Sequence, residues 1–140
     1  MRTTTIYRSG LLTLVLFALG HFAGFVMAAR AARVDPALAD ATRAMRAVRT
    51  RLLGFEPSLL DFREYFSASF SLLLLALAVT GFVAVSRAPN DTLVARRLAA
   101  VYAATTLALA ALSLWFGVVQ GVVMGLIAAL IFSLAAWSRA

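Results

Sequence analysis

Cysteine is absent from this 140-residue chain, and so is lysine: every one of the 13 basic residues is arginine. Without a thiol there is no disulfide, no thiolate metal site and no thiol redox chemistry, so a disulfide exchanger in the membrane is excluded. Charge is scarce as well. Only 14% of residues are charged, against about 25% in soluble domains, and 63% are hydrophobic, against about 45–50%. A soluble globular domain is thereby excluded, and a disordered chain needs the opposite balance. Histidine occurs once, at His21. One histidine without cysteine does not furnish the clustered ligands of a metal centre, and no cofactor is expected.

What is present is a mean hydropathy of +0.93 and a net charge of +7. The arginines bracket apolar runs and do not interleave with aromatic residues, which reads as the flanking of membrane spans and not as a nucleic-acid surface. The Arg-only, Ala-rich composition suggests a GC-rich bacterial genome, and hence an inner membrane.

A spanning helix needs about 20 apolar residues. Four stretches meet that length: Gly10 to Ala29, Tyr65 to Ser86, Leu98 to Phe116 and Val118 to Ser138, none holding an ionisable Asp, Glu or Arg. The runs are continuous and do not alternate, so helices are expected and strands are not. The fold class follows: all-α, one integral membrane four-helix bundle over residues 1–140. The first span has a second reading as a signal peptide, with Arg2 and Arg8 before it and Val26-Met27-Ala28 resembling a cleavage site, although its apolar run is longer than the usual core of such a peptide.

The connections carry local signals. Phe116, Gly117 and Val118 alone join the last two spans, so these form an antiparallel hairpin. In the link before the third span, Pro89 discourages helix and Asp91 is placed to cap the helix that follows. Residues 30–64 are the one sizeable polar segment. Asp35 before Pro36 is a helix start, and Gly54 is a helix end. Leu38, Ala41, Met45, Val48 and Leu52 recur at steps of three and four along one face, with Arg43, Arg46 and Arg51 elsewhere and Arg49 at the edge. An amphipathic interfacial helix is expected there. Asp40 and Arg43 are spaced for an i,i+3 pair. Ser58 and Asp61 form a capping-box pattern, so the second spanning helix begins near Leu59, with Asp61 and Glu64 in its first turns.

Arginine counting leaves orientation open. Arg2, Arg8, Arg87, Arg96, Arg97 and Arg139 fall on one side; Arg30, Arg33, Arg43, Arg46, Arg49, Arg51 and Arg63 fall on the other. Because the first helix often dominates, both termini are expected in the cytoplasm.

Helices in lipid associate through small residues and polar contacts. Gly117, Gly121, Gly125, Ala129 and Ser133 recur at steps of four in the last span; Gly20, Gly24 and Ala28 do so in the first. The third span is rich in alanine. Packing within the bundle is the expected role of these ridges; homodimerisation is the competing one, and the oligomeric state stays open. Among polar groups in the bilayer, His21 stands about two turns before Ala29. Topology assigns it to the same leaflet as Ser67, Ser71, Trp115 and Gln120, with Asp61 and Glu64 at the rim. These seven residues are the candidate ligand-binding set. The plainer reading of His21 is a structural hydrogen bond between helices. Tyr7, Tyr65, Trp115 and Trp137 lie near span ends and fit an interfacial aromatic belt. Thr80, Thr105, Thr106 and Ser113 fit back-bonding within their own helices.

Gly20-His21-Phe22-Ala23-Gly24, then Ala44-Met45-Arg46-Ala47-Val48, Gly54-Phe55, Ser58, Asp61-Phe62, Phe66 and Ser67 together resemble a group of small four-helix bacterial membrane proteins of uncharacterised function. The resemblance covers roughly residues 10–90 and implies a four-helix fold and a membrane location, but no activity. Where the group often carries a second histidine after the Met-Arg pair, this chain has Arg49.

The expected function is non-enzymatic: an accessory subunit for another membrane protein, or a binder of a lipid-like hydrophobic ligand. A membrane enzyme of the isomerase kind, acting on an apolar substrate near His21, is the alternative, but no catalytic set is apparent. A small exporter is a third reading, and it lacks the membrane carboxylate such proteins depend on. The lipid bilayer is the one partner the composition demands.

Overall fold

The computed structural model describes residues 2–51, 53–88 and 91–138, with Arg2 described in its backbone alone. The expectations attached to Leu52, Pro89, Arg139 and the Arg2 side chain lie outside these residues. Five helices follow in order: α1 (Arg2–Ala31), α2 (Pro36–Ala47), α3 (Leu59–Arg87), α4 (Thr92–Trp115) and α5 (Val119–Trp137). No strand occurs among the described residues; Arg49 and Ser58 form an isolated antiparallel bridge. Four helices are long and apolar enough to cross a membrane: Thr3–Ala31, Leu59–Arg87, Thr92–Trp115 and Val119–Trp137. The chain is thus an all-α, multi-pass membrane protein.

The helix starts are built as their sequences require. Asp35 Oδ1 accepts from the backbone N–H of Ala37 at 2.9 Å and of Leu38 at 3.4 Å, with Pro36 in the first turn. Asp91 Oδ1 accepts from Val94 N–H at 3.0 Å. At α3 the capping box is reciprocal. Ser58 N–H and Oγ both donate to Asp61 Oδ2, at 2.7 and 2.8 Å, and Asp61 N–H donates to Ser58 Oγ at 3.2 Å. Orphan donors of the first turn are satisfied in each case.

The turn between α4 and α5 is a full Schellman closure. Val118 N–H donates to Ser113 O at 2.8 Å and Gly117 N–H to Leu114 O at 3.1 Å, with Gly117 at φ +69°. That left-handed conformation is cheap for glycine alone. Gly117 therefore serves the turn and not the packing ridge expected of it: a Cβ there would meet nothing within 4 Å.

Two compact units divide the chain. The larger comprises Met1–Phe17 with Leu74–Ala140, the smaller Ala18–Leu73. Within the larger unit, segments of all four long helices pack as a bundle, and the inward faces of α4 and α5 are mostly small residues with a few large ones set among them. In α4 they are Ala95, Ala99, Tyr102, Thr106 and Ala110; in α5, Gly121, Gly125, Ala128, Ala129, Phe132 and Ala135. From α3 come Leu74, Ala78 and Val85, and from α1 Thr3, Tyr7, Leu11 and Leu14. The bulky aliphatics face outward: Leu12, Leu107, Leu112, Val123 and Leu130 are each at least half exposed. A protein in water buries such side chains. Here many of them face outward while small residues line much of the α4–α5 contact, as happens when the surroundings are as apolar as leucine and close backbone approach holds helices together.

Gly125 shows how close that approach is. A Cβ placed there would stand 2.9 Å from Ala110 Cβ and 3.1 Å from the Ala110 backbone. At Gly121 the neighbour is Ser113, whose Cβ would be 2.8 Å away. Ser113 thus lies against the facing helix, whereas Thr80, Thr105 and Thr106 back-bond to Leu77, Val101 and Tyr102 carbonyls at 2.8–2.9 Å.

Tyr7 corrects the belt reading. It is fully buried, edge-on to Tyr102 (centroids 5.8 Å apart) and tilted against Phe132 (5.7 Å). Gly81 makes room for this cluster: a Cβ there would lie 2.5 Å from Leu11 Cδ2 and 2.9 Å from the Tyr7 hydroxyl. Tyr102 donates its hydroxyl to Leu77 O at 2.7 Å. Tyr65, Trp115 and Trp137 are exposed, as belt residues are.

Candidate functional site

The smaller unit holds the second half of α1, all of α2, the connection to α3 and the first half of α3. Its amphipathic helix is shorter than the periodicity predicts. α2 ends at Ala47, and Val48 takes an extended conformation (φ −78°, ψ 112°). The reason is non-local pairing. Thr50 N–H donates to Pro57 O at 3.1 Å, and Leu59 N–H donates to Val48 O at 2.9 Å. Residues 48–50 are β-branched at both ends, which suits an extended strand better than a helix. Gly54, expected as a helix end, instead sits in the tip of this hairpin-like loop at φ +86°. Arg49 braces it by donating from Nη1 to Glu56 O at 3.1 Å.

None of the residues of α2 is buried. Arg43 pairs with Asp40 as their spacing implies, both exposed, so the pair adds little stability.

His21 faces α3. Its ring meets Phe70 edge to face, with centroids 4.9 Å apart at 70°. Its Nε2 is buried and has no hydrogen-bond partner. The structural hydrogen bond expected of His21 is not made by this nitrogen, and its neighbour is an aromatic ring that no sequence spacing points to. A buried polar atom left without a partner costs about 1–3 kcal/mol, so this nitrogen is the least satisfied polar group of the smaller unit's membrane helices.

The rest of the candidate set is differently occupied. Ser71 is buried, and its hydroxyl donates back to Ser67 O at 3.2 Å. Ser67 and Glu64 are half-buried. Asp61 is engaged by Ser58 at the start of α3, so its carboxylate has a structural task. Trp115 and Gln120 belong to the larger unit, where they flank the α4–α5 turn with their side chains exposed. Gly24 is open, with nothing within 4 Å of an added Cβ, and Gly20 is exposed too. The first-span ridge thus lies on the surface. Among the described residues no group of three His, Asp or Glu stands close enough to hold a metal ion.

No family model, curated protein or solved structure matches this chain.

Proposed function

We propose that the chain is a non-enzymatic protein of a bacterial inner membrane that binds a lipid-like molecule beside His21, alone or as an accessory subunit of a larger membrane protein. The observation that carries this reading is the unpartnered, buried Nε2 of His21 beside Phe70. A ligand with an apolar body and a single hydroxyl or carbonyl matches that chemistry. Its body would pack on aromatic rings, and its polar atom would satisfy the imidazole. An isomerase-like activity asks for a second acid or base working with His21; the apolar spans hold no acid, and of the two at the rim, Asp61 and Glu64, Asp61 is taken up by Ser58. Arg8 ahead of the first span favours cytoplasmic termini.

The test is extraction. The full chain is purified in mild detergent, and its bound lipid-like species are compared with those of His21→Leu by mass spectrometry. Enrichment of one species over the bulk membrane extract, lost in the variant while helicity is unchanged, supports the reading. The same species in equal amount from both proteins overturns it.

A further inference from the structure

The tip of the 48–59 loop presents two large apolar side chains outside any apolar span. Leu53 is 92% exposed and Phe55 75% exposed. They flank Gly54, and both Leu53 (φ +49°) and Gly54 (φ +86°) are left-handed. Glycine takes that conformation freely, but leucine adopts it only where surrounding structure imposes it. The imposing structure is the pairing of Val48 and Thr50 with Pro57 and Leu59, together with the Arg49 brace on Glu56 O. The loop is thus built to hold its apolar tip outward.

Arginines flank this tip in sequence, Arg46, Arg49 and Arg51 before it and Arg63 after it. Among the described residues Arg30, Arg33, Arg46 and Arg63 are exposed, and none has a carboxylate within ion-pair distance, although Arg46 acts on Asp61 at longer range. Arg51 makes one loose contact, 3.8 Å to an exposed Glu56 carboxylate. Apolar side chains beside them in sequence are uncovered too: Leu38 of α2 is 44% exposed, and Val48, just past its end, 54%. Apolar side chains among cations, on a segment bounded by two spanning helices, have one ready counterpart: the headgroup layer of an anionic phospholipid leaflet. Tyr65, where the apolar run of α3 starts, is only about 9 Å of helix beyond Leu59. The loop is therefore confined beside the membrane surface, and no separate partner has to be recruited.

We propose that residues 46–51 and 53–55 form a wedge that docks on anionic lipid headgroups, with Leu53 and Phe55 entering the interface and Arg46 and Arg51 contacting phosphates. The inference is independent of the ligand reading at His21, and it concerns the leaflet on which residues 30–64 lie, whichever face of the membrane that is.

A tryptophan at the tip reports on this. Phe55→Trp is introduced into the full chain with Trp115→Phe and Trp137→Phe, and the protein is placed in nanodiscs of phosphatidylcholine alone or with phosphatidylglycerol. With the anionic lipid, the emission shifts to the blue, bromine-labelled acyl chains quench it, and access of neutral acrylamide falls about fivefold. Arg46→Gln with Arg51→Gln returns access to the phosphatidylcholine value; the two lysine substitutions do not. Circular dichroism and thermal melting of each variant exclude loss of fold as the cause. Equal acrylamide access in both lipids overturns the proposal. So does a blue shift that appears only when native membrane protein is added, since the occupant is then a protein.

Discussion

The two compact units solve different problems with the same helices. In the larger, α4 and α5 meet backbone to backbone: Gly125 lies against the Ala110 main chain and Gly121 against Ser113. A buried aromatic cluster there, Tyr7 with Tyr102 and Phe132, is accommodated by Gly81. In the smaller unit an added Cβ at Gly24 or Gly54 would meet nothing within 4 Å. Its order comes from polar local devices: the Asp35 cap, the Ser58–Asp61 box and the Arg49 brace. One region is held by close apolar approach, the other by hydrogen bonds at helix starts and a loop. The smaller region also carries the unsatisfied His21 nitrogen and the exposed apolar tip at Leu53 and Phe55. Close packing in one part leaves another to present exposed apolar side chains, a division expected where local stability and function compete.

The sharpest way to break this comparison is to fill Gly125. Gly125→Leu forces a side chain into the Ala110 backbone, which has no flexible end to move aside. Overpacking of this kind costs about 3 kcal/mol or more. Titration with a denaturing detergent, followed by circular dichroism, measures it. Wild-type stability in this variant would mean that α4 and α5 are not held by close approach at all.

The smaller unit responds to a different change. Ser58→Ala removes both partners that the buried Ser58 hydroxyl gives to the start of α3, at a cost of about 1 kcal/mol. Hydrogen exchange should accelerate at the N–H groups of residues 59–62 and leave α4 and α5 unaltered. Acceleration spread evenly through all five helices would erase the distinction between the units.

A milder pair of substitutions separates a satisfied hydroxyl from an unsatisfied one inside the same cluster. Tyr102 donates to Leu77 O, whereas the Tyr7 hydroxyl is buried with no hydrogen-bond partner. Tyr102→Phe should lose about 0.5–1 kcal/mol. Tyr7→Phe should be neutral or slightly stabilising, because it deletes a polar atom that has nothing to bond. Thermal melting of the two proteins side by side reads the difference, and an equal loss in both would mean that Tyr7 has a partner after all.

Much of the architecture is legible in the residues themselves, because lipid makes the rules strict. Uninterrupted apolar runs locate all four long helices, although α1 and α4 run on into polar flanks and start eight residues before Gly10 and six before Leu98. Asp35-Pro36, Asp91 and Ser58 with Asp61 mark starts whose chemistry is local. The misreadings have a common origin in contacts between distant positions. The apolar rhythm through Val48 continues past the true end of α2, since the pairing that stops the helix comes from Pro57 and Leu59, across a loop. Tyr7 looks interfacial by its position near a span end, and only the room left by Gly81 takes it inside. The candidate site is less legible still. A shared leaflet says which residues have equal depth, not which of them touch, and a helix can turn the same residue towards lipid or protein. His21 could be singled out because it is unique, but its contact with Phe70 depends on the rotation of two helices. Asp61 shows the converse: the capping pattern that located the start of α3 already accounted for that carboxylate.

The smallest expected effect tests the first-span ridge. Gly24 satisfies the same small-residue spacing as Gly125, yet nothing stands within 4 Å of its added Cβ. If the ridge has no partner within the chain, Gly24→Leu changes the stability of the isolated protein by no more than about 0.5 kcal/mol, in contrast to the large loss at Gly125. A glycine-lined surface of this kind is also what a second helix in lipid would use for close approach. Crosslinking in native membranes, before and after the substitution, separates the two cases. An unchanged crosslinking pattern together with unchanged stability makes the stripe a lipid-facing surface; loss of a crosslinked dimer at unchanged monomer stability makes it a contact between copies. A large loss of monomer stability would contradict both, and with them the view that only the larger unit relies on glycine for its packing.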